Sequence, residues 1–328
     1  MKLIIQIPCY NEALTLPQTL RELPRQLDGV DTVEWLIIDD GSADGTAEVA
    51  RQCGAHHIVR LAGHQGLARG FATGIEACLK QGADIIVNTD ADNQYCAADI
   101  PLLIGPIIRG EADIVVGARP VGEIAHFSLT KKLLQRLGSW AVRAVSGTDV
   151  PDVTSGFRAL SRGAALRLNV FSNYTYTLET IIQAGRSNMV VTSVPIRTNP
   201  PLRETRLIKS IPDYIKKSVV TILRVFILYK PLRFFVYSGA AVFLAGFLLG
   251  IRFLSAYLMG HGAGHIQSLI LAAVLLTIGF QLGILGLVAD LISTNRRLLE
   301  DLQYRLRNAE MRNNRAAPVE TQKNSILR

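Results

Sequence analysis

Two carboxylates one residue apart, Asp90 and Asp92, stand at the end of a short apolar run, Ile85-Ile86-Val87-Asn88-Thr89, and are followed by Asn93 and Gln94. Such a run reads as a buried strand, and side chains two apart on an extended chain point to one side. In open α/β sheets, ligands bind outside the carboxyl ends of the strands. Hard oxygen ligands there suit Mg2+ or Mn2+, which takes its other ligands from water and substrate phosphates. The chemistry indicated is a metal-held nucleotide diphosphate. The bland alternative is an Asp- and Asn-rich turn, which strand ends often carry.

Other acidic groups share that setting. Glu12 follows the apolar run Leu3–Ile7 through Pro8-Cys9-Tyr10-Asn11, and Asp39-Asp40-Gly41-Ser42 follows Trp35–Ile38. Each alone is a helix cap or turn former. Together, at the ends of three strands, they would converge on one rim.

The elements that must position them alternate along the chain. Helical spacing runs through Leu14, Leu20, Leu23 and Leu27, and Ser42 or Asp44 can cap a second helix. Ile58-Val59 reads as a third strand, Gly66 to Lys80 as a helix, and a further helix begins near Pro101. Asp113 to Gly117 is a fifth strand, residues 128 to 146 an amphipathic helix with Lys131, Lys132, Arg136 and Arg143, and Tyr174 to Ala184 a helix containing Glu179. Met189 to Ile196 alternates as an edge strand does. This order predicts an α/β fold with a mostly parallel, doubly wound sheet. The absence of G-x-G-x-x-G after the first strand argues against a dinucleotide fold of the dehydrogenase kind.

The 328 residues carry a net charge of +8 and are 49% apolar, both unevenly spread. Up to about residue 230 the chain reads as a soluble protein. Phe234 to Leu254 and Ile266 to Ile292 are then long enough to cross a bilayer core of roughly 30 Å. Arg252 can snorkel to the headgroups. Lys230, Arg233, Arg296 and Arg297 flank the outer ends of this hairpin, and the connection Gly260–His265 has no Lys or Arg. Excess positive charge marks the cytoplasmic side, so both termini are expected there, in an inner-membrane, multi-pass protein. The short N-terminal apolar run, stopped by Pro8, does not read as a signal peptide. Gln281 can bond to a neighbouring helix, which points towards a homo-oligomer. The basic cluster before the first span fits an anionic membrane surface. No zinc-finger spacing or RNA-module pattern supports a nucleic acid partner. Cys9, Cys53, Cys78 and Cys96 have no C-x-x-C pairing and read as thiols of a reduced compartment.

Pro8-x-Tyr10-Asn11-Glu12, Asp39-Asp40-Gly41-Ser42, Asp90-Ala91-Asp92-x-Gln94 and Asp152-x-x-Ser155-Gly156-Phe157-Arg158 stand in the order and spacing of family 2 glycosyltransferases. Over residues 3 to 210 the chain most resembles the branch of dolichyl- or polyprenyl-phosphate sugar synthases, many bacterial members of which carry two apolar segments behind the catalytic domain. The resemblance implies a Rossmann-like GT-A catalytic domain followed by a two-helix transmembrane hairpin. It divides the chain into a transferase domain (1–200), basic interface helices (201–231), the hairpin (232–293) and a cytoplasmic helical tail (294–328) ending in disorder.

The resemblance also implies roles. Pro8, Tyr10, Glu12, Asp39, Asp40 and Asp90 are expected at the nucleotide, and Asp90, Asp92 and Gln94 at an Mg2+ or Mn2+ ion. Asp92, Asp152 and Arg119 form the expected catalytic set. Arg119, Arg158, Arg203 and Arg206 are the expected contacts of an acceptor phosphate. Lys131, on the basic side of the 128–146 helix, is read from the residues themselves as a further contact at the membrane surface, the alternative being a solvated face. The alternatives are that Asp152 caps a helix and pairs with Arg158, and that the basic segment is only drawn to anionic headgroups. His64 stands where the family has an asparagine, either near the nucleotide or simply solvated. The Q-x-x-R-W signature of processive synthases is missing, since Gln183-Ala184-Gly185-Arg186 runs into Ser187. The expected reaction is inverting transfer of one sugar from a nucleoside diphosphate sugar to a polyisoprenyl phosphate at the lipid bilayer. A lipid hydroxyl acceptor would instead need Asp152 or Glu179 as base, and a third alternative is a membrane-anchored nucleotide-sugar sensor without turnover.

Overall fold

In a computed structural model, the protein is described over residues 1–120, 139–170 apart from 141 and 144, 176–200, 220, 224, 227, 229–259 and 266–316. In chain order the elements are β1 (Lys2–Cys9), α1 (Leu16–Glu22), β2 (Thr32–Asp39), α2 (Thr46–Gln52), β3 (His57–Arg60), α3 (Leu67–Lys80) and β4 (Ile85–Asn88). A 3-10 turn (Ala97–Asp99), α4 (Ile100–Ile108), β5 (Ile114–Ala118), β6 (Arg158–Ser161), α5 (Arg162–Arg167), α6 (Thr177–Arg186) and β7 (Val191–Pro195) follow. Two long helices, α7 (Pro231–Leu258) and α8 (Ile266–Ala316), come last.

The seven strands lie in the order β3-β2-β1-β4-β6-β5-β7. All neighbours run parallel except β6, which is antiparallel to both β4 and β5. The mostly parallel α/β sheet is as expected; the reversed β6 was not foreseen. Strands covered on both faces read as unbroken apolar runs. Accordingly Ile85, Ile86 and Val87 are fully buried, with Leu3, Ile5, Ile7, Trp35, Ile37, Leu103 and Ala159 packed in one core. β7 is the edge strand its alternation predicts.

One element is shorter than its spacing suggests. Leu14 is 96% exposed, Leu27 sits in a bridge with Val30, and α1 holds only seven residues. Pro17 suits the first turn of that helix, and Leu23 is extended because Pro24 follows it. Of the amphipathic helix expected over 128–146, the described positions between 139 and 146 are helical, and Lys131 lies outside the described residues. Arg203 and Arg206 also lie outside them.

The chain divides into two compact units, Met1–Lys216 with Glu300–Arg328, and Lys217–Leu299. In the second unit, α7 and α8 are long and apolar enough to cross a membrane. Phe247, Leu248, Leu254, Phe280, Leu285 and Leu287 are each at least half exposed, as in a helix that faces lipid rather than a soluble core. The two helices approach closely at glycines. A Cβ added at Gly239 would lie 2.8 Å from the Gly279 carbonyl oxygen, and one at Gly279 would lie 2.6 Å from the Phe243 nitrogen. Small residues permit such approach in membrane helices. At 51 residues, α8 is about 77 Å long, more than twice a hydrocarbon core. The stretch 294–312, read from sequence as a separate strip, is the continuation of this helix. In the first unit its end contacts α5, with Arg307 donating to the Leu168 carbonyl and Arg167 over the Tyr304 ring.

Candidate active site

Strand register brings the acidic groups to one rim. β1 lies between β2 and β4, with Cys9 beside Asp39 and Gln6 beside Asn88. The chain therefore leaves all three strands at one edge, towards Tyr10–Glu12, Asp40–Ser42 and Asp90–Gln94. The buried Cys9 thiol registers the crowding: burial first, then Glu12, Asp39, Asp44 and Asp90, push it well above its ordinary range.

The first two loops are stapled together. Asn11, at φ 53, donates its N–H to Ser42 Oγ (2.9 Å) and accepts from the Ala43 N–H (3.0 Å). The Glu12 N–H donates to Thr46 Oγ1 (3.0 Å), and the Ala13 N–H to Asp44 (3.0 Å). Glu12 itself is buried and accepts from Thr15 Oγ1 at 2.6 Å. Gly41, at φ +71, is pressed against the next loop, where a Cβ would lie 2.6 Å from the Gly63 carbonyl carbon. Only glycine fits both demands.

That approach lets Asp40 accept from the N–H groups of Gln65 (2.7 Å) and Gly66 (2.8 Å), at the start of α3, where the helix dipole also favours an anion. His64 Nδ1 lies 2.8 Å from Asp40 Oδ2, and its ring stacks on Tyr10 at 3.8 Å. His64 is thus built into the rim rather than merely solvated. Pro8, half-buried near the end of β1, leads into this stack. Asp39 is fully buried. Its Oδ1 accepts from the Ser42 N–H (2.9 Å), and Oδ2 lies 3.3 Å from Arg60 Nε without hydrogen-bond geometry. A buried acceptor in that state is costly unless a ligand N–H or O–H reaches it. Sequence reading left His64 open between the nucleotide and solvent, and it did not single out Arg60, whose signal was position alone, at the end of the third strand on the same rim.

The third loop alternates between buried and open positions. Ala91, Asn93 and Tyr95 are buried, while Asp90, Asp92 and Gln94 are partly exposed. Beneath Asp90 lies Gly156, where a Cβ would come within 3.1 Å of Asp90 Oδ1 and 3.0 Å of the Tyr176 hydroxyl. A polar spine fixes that glycine: Gln6 donates to Asn88 Oδ1 (2.9 Å), and Asn88 donates to the Gly156 carbonyl (2.8 Å) and Tyr176 (2.9 Å). The Gly156 N–H donates to the Tyr95 hydroxyl (2.9 Å), whose pKa burial and Asp90 push up to about 12. Among the described residues no three His, Cys, Asp or Glu side chains form a closed metal cage. An all-oxygen edge with two carboxylates fits a hard cation that draws its other ligands from substrate and water.

Arg119 and Asp152 meet at this edge. Arg119 Nε and Nη2 donate to Asp152 at 2.7 and 3.1 Å, and Nη2 also donates to Thr154 (2.9 Å). Burial alone would raise the Asp152 carboxyl, but Arg119 and Thr154 outweigh it and hold the group below the usual range. Burial opposes the Arg119 charge, and Tyr95, Asp152 and Asp90 together raise its pKa. The expectation that Asp152 could pair with Arg158 is corrected: its partner is Arg119.

Arg158 is corrected as well. It is 1% exposed and donates to the carbonyls of Ser155 (2.7 Å), Thr177 (2.8 Å) and Val153 (2.8 Å) and to Thr180 Oγ1 (2.7 Å). It begins β6 and ties that strand to α6, so it cannot receive an acceptor phosphate. Burial drives its pKa down.

The chain is 29% identical over 206 residues to the undecaprenyl-phosphate mannosyltransferase of Micrococcus luteus, covering 60% of this chain and 83% of that one. It is 30% identical over 216 residues to the UDP-N-acetylglucosamine–dolichyl-phosphate N-acetylglucosaminyltransferase of Methanococcus voltae, covering 58% and 83%. Glucosyl-3-phosphoglycerate synthase from Mycobacterium tuberculosis, solved with Mn2+, UDP and glucosyl-3-phosphoglycerate, shares the fold at a TM-score of 0.53 and 20% identity. That likeness covers 69% of this chain and 78% of that one. The family model for Glycosyl transferase family 2 matches residues 4–168, and with half of its length so matched the chain belongs to that family and is a glycosyltransferase.

Proposed function

We propose that the chain transfers one sugar, with inversion, from a nucleoside diphosphate sugar to a polyisoprenyl phosphate at the cytoplasmic face of the membrane. The observation that carries this reading is the edge where Asp90, Asp92 and Gln94 open outwards while the alternate residues are buried. The relatives named for undecaprenyl- and dolichyl-phosphate support the acceptor class. The two apolar helices support a bilayer setting.

Tyr10 offers a ring face to the base, and the second oxygen of Asp39 accepts a base or ribose hydrogen. Asp90, Asp92 and Gln94 would hold Mg2+ or Mn2+, which when bound offsets charge on the departing diphosphate. Arg119 adds positive charge beside Asp90, and Asp152 orients it. The acceptor phosphate oxygen bonds to the anomeric carbon from the face opposite the diphosphate, which leaves with the electrons of the broken C–O bond. Arg203, Arg206 and Lys131 are the proposed contacts of that phosphate, since guanidinium forks match its oxygens. A phosphate monoester is already ionised and needs little help from a base. A hydroxyl acceptor would need one, and Asp152, held ionised against Arg119, is poorly suited to take a proton.

The test is the purified full chain, in detergent, with labelled UDP- and GDP-sugars, Mn2+ and a polyprenyl phosphate. Labelled lipid is expected, and Asp92→Asn should lose transfer by several orders of magnitude while melting as the parent does. Full transfer by that variant would remove the metal assignment. Transfer to diacylglycerol but not to polyprenyl phosphate would remove the acceptor.

A further inference from the structure

The Asp90–Gln94 loop is held from behind by residues outside the set just described. After β7 the chain runs antiparallel to it: Tyr95 bridges to Thr198, the Cys96 N–H donates to the Arg197 carbonyl (3.4 Å), and the Asn199 N–H donates to the Gln94 carbonyl (2.9 Å). The Asn199 side-chain amide donates to the Asn93 carbonyl (3.0 Å) and to Glu22 Oε2 (3.4 Å). Asn93 donates from its own amide to Glu22 Oε1 (2.8 Å) and sits at φ 55, in the left-handed region. From α1, Thr19 Oγ1 donates to the Ala91 carbonyl (2.8 Å). Arg197 anchors the strap, donating from its backbone (2.6 Å) and guanidinium (2.9 Å) to the buried Asp99.

We propose that Asn199 and Glu22 are positioning residues for metal–nucleotide binding, fixing Asn93 in its left-handed conformation so that Asp92 and Gln94 face the diphosphate together. One glutamate takes both asparagine amides, joining α1, the loop and the strap after β7 at one point. Neither residue belongs to the carboxylate set; Asn199 acts through the Asn93 carbonyl, and Glu22 through the side-chain amides of Asn93 and Asn199. Asparagine tolerates the left-handed region better than most side chains, and these hydrogen bonds fix it there. Without them the loop can relax, turning one of the two alternate side chains away. The inference rests on the donor-site reading above.

Mn2+ binding to the full chain, followed by electron paramagnetic resonance with UDP and in parallel GDP present, tests it without relying on turnover. In Glu22→Ala and Asn199→Ala the Mn2+ concentration for half-saturation should rise about tenfold, the lower end of what loss of outer-shell partners does. Transfer should recover at high Mn2+, so that the change lies in metal dependence rather than in kcat. Glu22 is exposed, so Glu22→Ala keeps the fold and carries the test if Asn199→Ala does not fold. Wild-type protein that binds Mn2+ with nucleotide, and variants that bind it equally well, would overturn the positioning role alone. Variants losing kcat that saturating Mn2+ does not restore would overturn it too. Wild-type protein showing no Mn2+–nucleotide binding would overturn the donor-site reading and this inference with it.

Discussion

Residue by residue, the rim separates side chains that are open to solvent from those that hold others in place, and Arg158 is of the second kind. A guanidinium whose donors end on three carbonyls and a threonine hydroxyl within the core supports the loop carrying Gly156. Arg158→Met leaves those acceptors unmatched, and an unsatisfied buried group costs about 1–3 kcal/mol. The variant should lose about 3 kcal/mol or more, read as a lower melting temperature of the full chain in detergent. Folded protein at low temperature should keep its KM for polyprenyl phosphate, whereas loss of a direct contact to the acceptor phosphate would raise that KM without lowering the melting temperature. Asp152 gives a pH signature. Its folded pKa is lowered, so its contribution to stability is complete above the ordinary aspartate range and is lost only as pH falls through the folded value. Between pH 7 and 5 the Asp152–Arg119 pair should add no slope to the melting temperature. Asp152→Asn should lower stability across that range and flatten the acid limb. A pair-dependent loss already at pH 6 would contradict the assignment.

At the scale of elements, most of the fold was legible because strands buried on both faces must be apolar throughout. The runs at Leu3–Ile7, Trp35–Ile38 and Ile85–Val87 became β1, β2 and β4, with the motif carboxylates at their ends. Direction is not written in composition. Nothing in Arg158-Ala159-Leu160-Ser161 says that β6 enters the sheet reversed, and the same blindness sent Arg158 to the cleft. Two of the acceptors that occupy it, the Thr177 carbonyl and the Thr180 hydroxyl, come from α6, whose proximity is tertiary. His64 stayed open between nucleotide and solvent for a similar reason, since only the close approach of Gly41 to Gly63 delivers it to Tyr10 and Asp40. The cysteines follow their elements. Cys9 and Cys78 are buried in β1 and α3, with pKa values raised by burial first, while Cys53 and Cys96 are partly exposed. Iodoacetamide at pH 8 should therefore label Cys53 and Cys96 in native protein and reach Cys9 and Cys78 only after denaturation. Mass spectrometry of tryptic peptides distinguishes the two pairs.

At the scale of the whole molecule, the charge around the two long helices predicts an orientation. Lys230 and Arg233 precede α7, Arg296 and Arg297 lie within α8 beyond its most apolar stretch, and residues 260–265 between the helices have neither Lys nor Arg. Each basic residue near an anionic leaflet is worth about 1 kcal/mol, so four on one side favour it by about 4 kcal/mol. The reverse orientation would also carry the entire unit of Met1–Lys216 across the membrane, away from the nucleotide-sugar donor of the proposed reaction. A cysteine placed in the connection, Gly262→Cys, should accordingly react with a membrane-impermeant maleimide added to intact cells. Cys53 and Cys96 should react only once the membrane is permeabilised, and their labelling serves as the internal control for an intact barrier. Equal labelling of all three before permeabilisation would mean a leaky preparation, to be repeated in sealed vesicles of known sidedness. Labelling of Cys53 and Cys96 from outside, with Gly262→Cys protected, would invert the topology and place the donor site on the wrong side for the proposed reaction.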